Sequence, residues 1–331
     1  MATTLARFRD QPVTFPSGIR GRVLEVPSAS PRNYHQAISD PAAMPSVTID
    51  GQLFLPSSGA APFPVVMVVP GSLGIAPSHV AHAETLTKAG LAAFVLDPFG
   101  ARGVTSTVSN QTQFSFAASA YDVLAAWRVL AAQPEIDPSR IGAQGHSRGG
   151  SAVLTAATRG FADAVLGAER GLAAVLAAYP WSGHQFLDPG IGVTRLRVLM
   201  GDRDDWCSVQ QVQGHVQAIR LRGGAVTMRL FAGAAHSFDR GTPVIRVDDA
   251  AVAPGAPTTY LAPDGACIHP LTGQPDPALT DRDVAVYGLK AGYGVRGASL
   301  GSAGTQAEEF REDMVQFWTE ALSIPGRPVR L

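Results

Sequence analysis

The pentapeptide Gly145-His-Ser-Arg-Gly149 constrains this chain more than any other stretch. A strand-like run, 141–144, precedes it, and the small-residue segment Gly149-Gly-Ser-Ala-Val-Leu-Thr-Ala-Ala follows and reads as a buried helix. A G-x-S-x-G motif set between a strand and a helix is a sharp, strained turn that holds its serine out of the top of a sheet. The flanking glycines let strand and helix pass close together. The amide of Arg148 then lies at a helix N-terminus, where unpaired N–H groups and the helix dipole favour an anion. Ser147 is therefore a candidate nucleophile, and Arg148 N–H a candidate oxyanion donor. The motif alone is frequent by chance, and a glycine turn without chemistry has the same spelling. Two other glycine-loop readings fail. The stretch has no lysine for a phosphate-binding loop, and the next strand ends in Tyr179-Pro180 rather than the acidic residue of a dinucleotide site.

The surrounding pattern supports the turn. The apolar runs 65–69, 91–96, 173–178, 196–200 and 226–231 read as strands buried on both faces, as in a parallel sheet. Helical segments alternate with them at 80–89, 115–133 and 209–222, and 306–322 closes the chain as an amphipathic helix. The expected architecture is α/β, a doubly wound, mostly parallel sheet. Residues 1–62 carry β-type pieces broken by prolines (13–15, 19–26, 47–55) and are expected to add antiparallel strands at its edge. His35 is expected in a loop. Residues 241–304 hold seven prolines, Pro243, Pro254, Pro257, Pro263, Pro270, Pro275 and Pro277, and read as a long irregular, partly ordered insertion inside one domain spanning 1–331.

Composition bounds the rest. With 26 basic and 27 acidic residues the net charge is −1, and no basic stripe suggests nucleic acid or an anionic membrane surface. No apolar run approaches the roughly 18 residues of a membrane span, and the first ten residues lack an apolar leader core. Two cysteines, Cys207 and Cys267, make no disulfide framework. A cytoplasmic enzyme without a cofactor is the expectation.

A nucleophilic serine needs a base, and the base an orienting acid. In parallel α/β sheets ligands bind beyond the carboxyl ends of the strands. Asp204 follows the strand ending at Met200, and His236 follows the strand ending at Phe231, so Ser147, Asp204 and His236 can converge there. Asp202 sits too near its strand to reach round, and Asp205 is expected to point away beside Trp206. The spacing of this acidic loop matches no calcium loop. His146 is expected to face away from the pocket, and His79 and His82 to be a solvated helix start. His184, His215 and His269 have poorer positions for a base. The second oxyanion donor is expected after strand 65–69, at the amide of Ser72, with Leu73 as the alternative. Phe99 and Trp181, each just past a strand, are candidates to line the pocket. Arg102 and Arg148 are candidates to attract a substrate carboxylate.

These pieces carry a resemblance. Val68-Val-Pro-Gly-Ser72, Val95-Leu-Asp-Pro-Phe-Gly-Ala-Arg-Gly103, Gly145-His-Ser-Arg-Gly149, Gly201-Asp-Arg-Asp-Asp-Trp206 and Ala235-His-Ser-Phe-Asp239 together resemble the dienelactone hydrolase family over about residues 47–240 and the last helix. The resemblance implies the α/β-hydrolase fold, a Ser-acid-His order along the chain, no cofactor, and an ester or lactone as small-molecule substrate. Dienelactone hydrolase itself uses cysteine where this chain has Ser147, which favours a carboxylesterase. Pro70 replaces the usual histidine before the oxyanion glycine, and the 241–304 insertion is unusual. An acyltransferase or peptidase with the same three residues, and a hydrolase-fold binding protein without catalysis, are the alternatives.

Overall fold

A computed structural model describes residues 7–322. The first six residues, part of the segment read above as lacking a leader core, and 323–331 lie outside it. The centre is an eight-stranded sheet made of β1 (Arg22–Ala29), β2 (Ser46–Phe54), β3 (Phe63–Val69), β4 (Ala92–Asp97), β5 (Ile136–His146), β6 (Ala174–Ala178), β8 (Arg195–Gly201) and β9 (Val226–Phe231). Its order is β1-β2-β4-β3-β5-β6-β8-β9. β1 and β2 are antiparallel, and from β4 onward all pairs are parallel. The runs that read as continuously apolar, such as β3 and β4, lie between two helical layers. That is why Val65, Val66, Met67 and Val68 are all fully buried.

One layer comprises α1 (Tyr34–Ser39), α3 (Phe116–Ala131), α4 (Arg148–Ala157) and α5 (Arg159–Leu166). On the other face α2 (Pro77–Lys88) packs against β3 and β4, and α8 (Gln306–Ala321) against β6, β8 and α2. α6 (Val209–Leu221) packs on β9. None of the described helices is long and apolar enough to cross a membrane.

Three expectations change. His35 is helical, in α1, whose start is fixed by Asn33 accepting from the Gln36 amide. Of 13–15, only Thr14 makes a bridge, to Arg20. The 241–304 segment is ordered. It contains β10 (Ile245–Val252), β11 (Thr259–Leu261), β12 (Cys267–Ile268), β13 (Pro275–Asp276), α7 (Asp281–Lys290) and β14 (Val295–Leu300). β10 and β14 form an antiparallel ribbon, bulged between Val247 and Ala251. β13, β12 and β11 extend a short strand of the core, β7 (His184–Phe186), into a second small sheet. Strands of two or three residues and a bulged ribbon leave no readable alternation, and the prolines punctuate them. α7 begins on a reciprocal cap between Thr280 and Asp283.

Candidate active site

The site begins where β5 meets α4. Ser147 has φ 55° and ψ −115°, a conformation that side chains rarely adopt. The turn holds because its neighbours lack side chains. A Cβ on Gly145 would lie 2.1 Å from the Gly149 carbonyl oxygen, and one on Gly149 would lie 2.3 Å from that of Val69. The strained backbone is fastened by Ser147 N–H to the Ala178 carbonyl (3.0 Å) and by Ser151 N–H to the Ser147 carbonyl (3.0 Å). The serine side chain is left partly exposed at the carboxyl end of the sheet.

The structure brings Ser147, His236 and Asp204 together. Ser147 Oγ lies 2.8 Å from His236 Nε2, and His236 Nδ1 lies 2.7 Å from Asp204 Oδ2. With the carboxylate accepting, Nδ1 carries the proton and Nε2 is free to accept from the serine. Asp204 Oδ1 accepts from the amides of Trp206 and Cys207, both at 2.9 Å. The carboxylate is fully enclosed. The indole of Trp206 stacks on the His236 ring at 5.1 Å and 14°. The other two loop aspartates have different work. Asp202 Oδ1 accepts from Gly233 N–H (2.7 Å), joining the two loops that carry the acid and the histidine, and Asp205 Oδ1 accepts from Ser299 N–H on β14 (2.8 Å).

Ser72 and Arg148 both border the serine. Among the described residues, neither amide has an acceptor. The Ser72 loop is held by Thr107 N–H to the Ser72 carbonyl (2.8 Å) and by Ser72 Oγ to Gln111 Oε1 (3.0 Å). Leu73 lines a small recess that Ser72, Ser147 and His236 also border, and not the large cavity.

A cavity of about 800 Å³ opens over Ser147. Its floor includes Phe116, Trp181 and His184, and its roof comes from the insertion, through Val252, Val284 and Leu289 among others. Trp181 thus lies on the cavity wall. Phe99 and Arg102 do not. Phe99 is buried edge-on to Phe114 (5.3 Å). Arg102 donates to both oxygens of buried Asp122 (2.7 and 3.0 Å) and to Ser30 Oγ (3.1 Å), tying the first strand's end to α3. The first turn after β4 packs toward the N-terminal segment, whereas Ser109, Asn110, Gln111 and Thr112 of the same loop return to the cavity wall. Arg148 borders the cavity, and each of its three guanidinium nitrogens already donates within the protein, to Ser119 Oγ (3.1 Å), the Gln111 carbonyl (2.8 Å) and the Phe114 carbonyl (2.5 Å). Burial brings its pKa down to about 10, so it stays cationic at neutral pH. Arg102 is thus not available to a substrate carboxylate, and Arg148 is held in place by its own partners.

Beneath the turn runs a polar chain that sequence reasoning missed. His79 and His82 are buried, not solvated. His82 Nε2 lies 2.7 Å from Asp239 Oδ2, and Tyr179 Oη donates to Asp239 Oδ1 (2.6 Å). One proton assignment satisfies every member. Trp318 Nε1–H donates to Gln144 Oε1 (2.9 Å), and Gln144 Nε2 to His146 Nε2 (3.0 Å). His146 Nδ1–H then donates to Tyr179 Oη (2.9 Å), and Tyr179 to Asp239. His146 therefore faces the buried network and away from the large cavity. Burial holds His146 well below its ordinary value, and pushes Tyr179 well above its own with help from Asp239. Burial alone would raise Asp239, but the His82 hydrogen bond and neighbouring histidines hold it well below the usual carboxylate range. Ligating atoms of His82, His146 and Asp239, and of Asp204, Cys207 and His236, lie within 4.8 Å of one another. In both groups the histidine and aspartate atoms are already committed to these hydrogen bonds. Burial, with Asp204 beside it, keeps the Cys207 thiol protonated.

The family model described as the dienelactone hydrolase family matches residues 49–256. Among solved structures, a dienelactone hydrolase-like promiscuous phosphotriesterase, P91, from metagenomic libraries is similar at 16% identity. The match covers 91% of this chain and 99% of that one, with a TM-score of 0.51. A structure titled m3DLH is similar at 20% identity over 66% of this chain and 86% of its own, also with a TM-score of 0.51. At such identities the likeness is one of fold. No curated protein matches the sequence.

Proposed function

The chain belongs to the dienelactone hydrolase family of hydrolases, and on that premise we propose that it cleaves carboxylic ester or lactone bonds with Ser147 as nucleophile, His236 as base and Asp204 as the orienting acid. The observation that carries this reading is the continuous pair of hydrogen bonds, 2.8 Å from serine to histidine and 2.7 Å from histidine to aspartate. In the first step Ser147 Oγ attacks the carbonyl carbon while His236 Nε2 takes its proton. Asp204 stabilises the imidazolium that forms and keeps the ring in the needed tautomer. The carbonyl oxygen becomes an oxyanion, received by the amides of Ser72 and Arg148, with the α4 N-terminus adding its dipole. Collapse expels the alkoxide, which takes the proton from His236 and leaves as alcohol. Water, activated by the same histidine, then hydrolyses the acyl-enzyme. Both donors are free backbone N–H groups in a rigid turn, so no reorganisation is needed as charge develops.

The test combines turnover and labelling. Wild-type protein hydrolyses p-nitrophenyl acetate and takes one fluorophosphonate at Ser147, and Ser147→Ala does neither. Undiminished hydrolysis by Ser147→Ala overturns the assignment.

A further inference from the structure

One wall of the large cavity is polar in a way the triad does not use. His184 and Asp281 both line it, and both are at least nine-tenths buried. His184 comes from β7 of the core, and Asp281 from the first turn of α7 in the insertion. Three aromatic rings clamp the imidazole nearly edge-on: Trp181 at 4.8 Å, Phe116 at 5.8 Å and Tyr34 at 5.8 Å. The ring is therefore fixed in place and stripped of water. Burial lowers its pKa, so it is neutral at pH 7, with one N–H donor and one lone pair.

Neither ring nitrogen has a hydrogen-bond partner among the described residues, and Nδ1 is a buried unpaired atom. Asp281 Oδ1 lies 3.9 Å from Nδ1, beyond hydrogen-bond range. The other carboxylate oxygen is engaged. Oδ2 accepts from Phe116 N–H (2.6 Å) at the start of α3, which holds the anion at a helix N-terminus without a direct cation partner. Both imidazole nitrogens and one of the two carboxylate oxygens are thus without a partner among the described residues. Native interiors rarely leave such groups open, and one that stays open on a cavity wall is explained by a ligand that completes it.

We propose that His184 and Asp281 form a subsite that recognises a hydroxyl group on the ester substrate, away from the reacting carbonyl. A hydroxyl matches the pair because it gives its one proton to the carboxylate and accepts from the imidazole N–H. Other ligand chemistries fit worse. A second carboxylate is repelled by Asp281. An ammonium group meets the Arg148 guanidinium, which stacks on the Phe116 ring at 4.1 Å, with Arg282 and Arg296 also on the wall. The aromatic flanks suit an apolar, planar group bearing that hydroxyl. The inference rests on Ser147 being the nucleophile, since that is what places the ester in this cavity.

The test uses pairs of p-nitrophenyl esters whose aryl-alkanoyl groups differ only by a hydroxyl, over several distances from the carbonyl. Wild-type kcat/KM favours the hydroxylated member by about tenfold or more at one distance, because a site built for a hydroxyl discriminates strongly against its absence. His184→Phe collapses that ratio to within about threefold, and His184→Gln, which keeps a donor and an acceptor, retains part of it. A wild-type ratio within threefold across the whole series overturns the proposal, and needs no variant to fold. An undiminished ratio in His184→Phe does the same. A failed subsite leaves hydrolysis of p-nitrophenyl acetate with a flat ratio, whereas absence of any ester hydrolysis overturns both this proposal and the serine nucleophile.

Discussion

Gly71→Ala isolates the oxyanion loop from the rest of the machinery. A Cβ at Gly71 would stand 3.0 Å from the His146 carbonyl oxygen and 3.1 Å from Ser147 Cβ. Carbon atoms rest at about 3.5–4.0 Å, so the Ser72 loop must retreat from the serine by roughly 0.4 Å or more. The backbone at Gly71 is not left-handed, so alanine adds no torsional strain there. The displacement moves the Ser72 amide away from the place the oxyanion will occupy, while the Arg148 amide keeps its place. Full loss of one such donor costs about 100- to 1000-fold in turnover. A retreat of this size therefore predicts a fall in kcat of roughly tenfold to a hundredfold. KM changes little, because the ground-state carbonyl leans on these amides less than the tetrahedral oxyanion does. The measurement is steady-state hydrolysis of p-nitrophenyl acetate beside a thermal melt. A kcat within twofold of wild type, with an unchanged melt, would refute the role given to the Ser72 amide.

Three further outcomes follow from the same geometry. Gly145→Ala puts a Cβ 2.1 Å from a backbone oxygen of α4, so its cost exceeds the ~1–3 kcal/mol usual for overpacking; a folded, active Gly145→Ala protein would contradict the close approach at the turn. Asp239→Asn leaves buried His82 and Tyr179 facing an uncharged group and should lower stability by about 3–5 kcal/mol in urea titration; a loss under 1 kcal/mol would deny the network its structural role. Acid should unfold the protein early. Burial lowers His79 to about 3 and His215 to about 4, and lowers His146 and His184, from 6.5. The unfolded chain thus binds protons below pH 6.5 that the folded chain refuses. The stability these groups contribute is complete above that pH and is lost as pH falls toward 3, at up to about 1.4 kcal/mol per pH unit for each. Denaturant midpoints at pH 7, 6, 5 and 4 test it, and a flat series from 7 to 4 would overturn it.

Much of the sheet was legible because burial on both faces writes an unbroken apolar run. The convergence of Ser147, Asp204 and His236 was legible because the ends of parallel strands share one side. Choosing Asp204 over its neighbours was legible from loop reach, although the tasks of Asp202 and Asp205 were not. The same strand-end logic misplaced Phe99 and Arg102. β4 is separated from β5 by β3, and the first turn after it packs away from the serine before Gln111 returns to the cavity wall, a matter of loop course that no local spacing encodes. His79 and His82 were misread because a histidine at a helix start looks solvated until its partner is known. Asp239 lies 157 residues beyond His82. His184 is not legible as a binding residue, because it stands where no base is needed and a three-residue strand gives no sign that its first side chain faces a cavity.

The insertion changes meaning most. Its prolines read as a long irregular insertion, but its contacts fall on the loops that carry Asp204 and His236. Ser299 N–H donates to Asp205, next to Asp204, and Gly301 N–H donates to the carbonyl of His236 (2.8 Å). Leu300 between them forms a parallel bridge with His236. The strand that roofs the cavity therefore also fixes the height and angle of the histidine. Under the proposed mechanism chemistry and selectivity are coupled through β14, since a shift that reshapes the roof also moves His236. The side chains of α7 are freer. Val284 and Leu289 border the cavity, yet no described hydrogen bond joins their helix to the triad loops. Changes on α7 can alter which ester fits without disturbing the proton relay, whereas changes along 299–301 cannot separate the two.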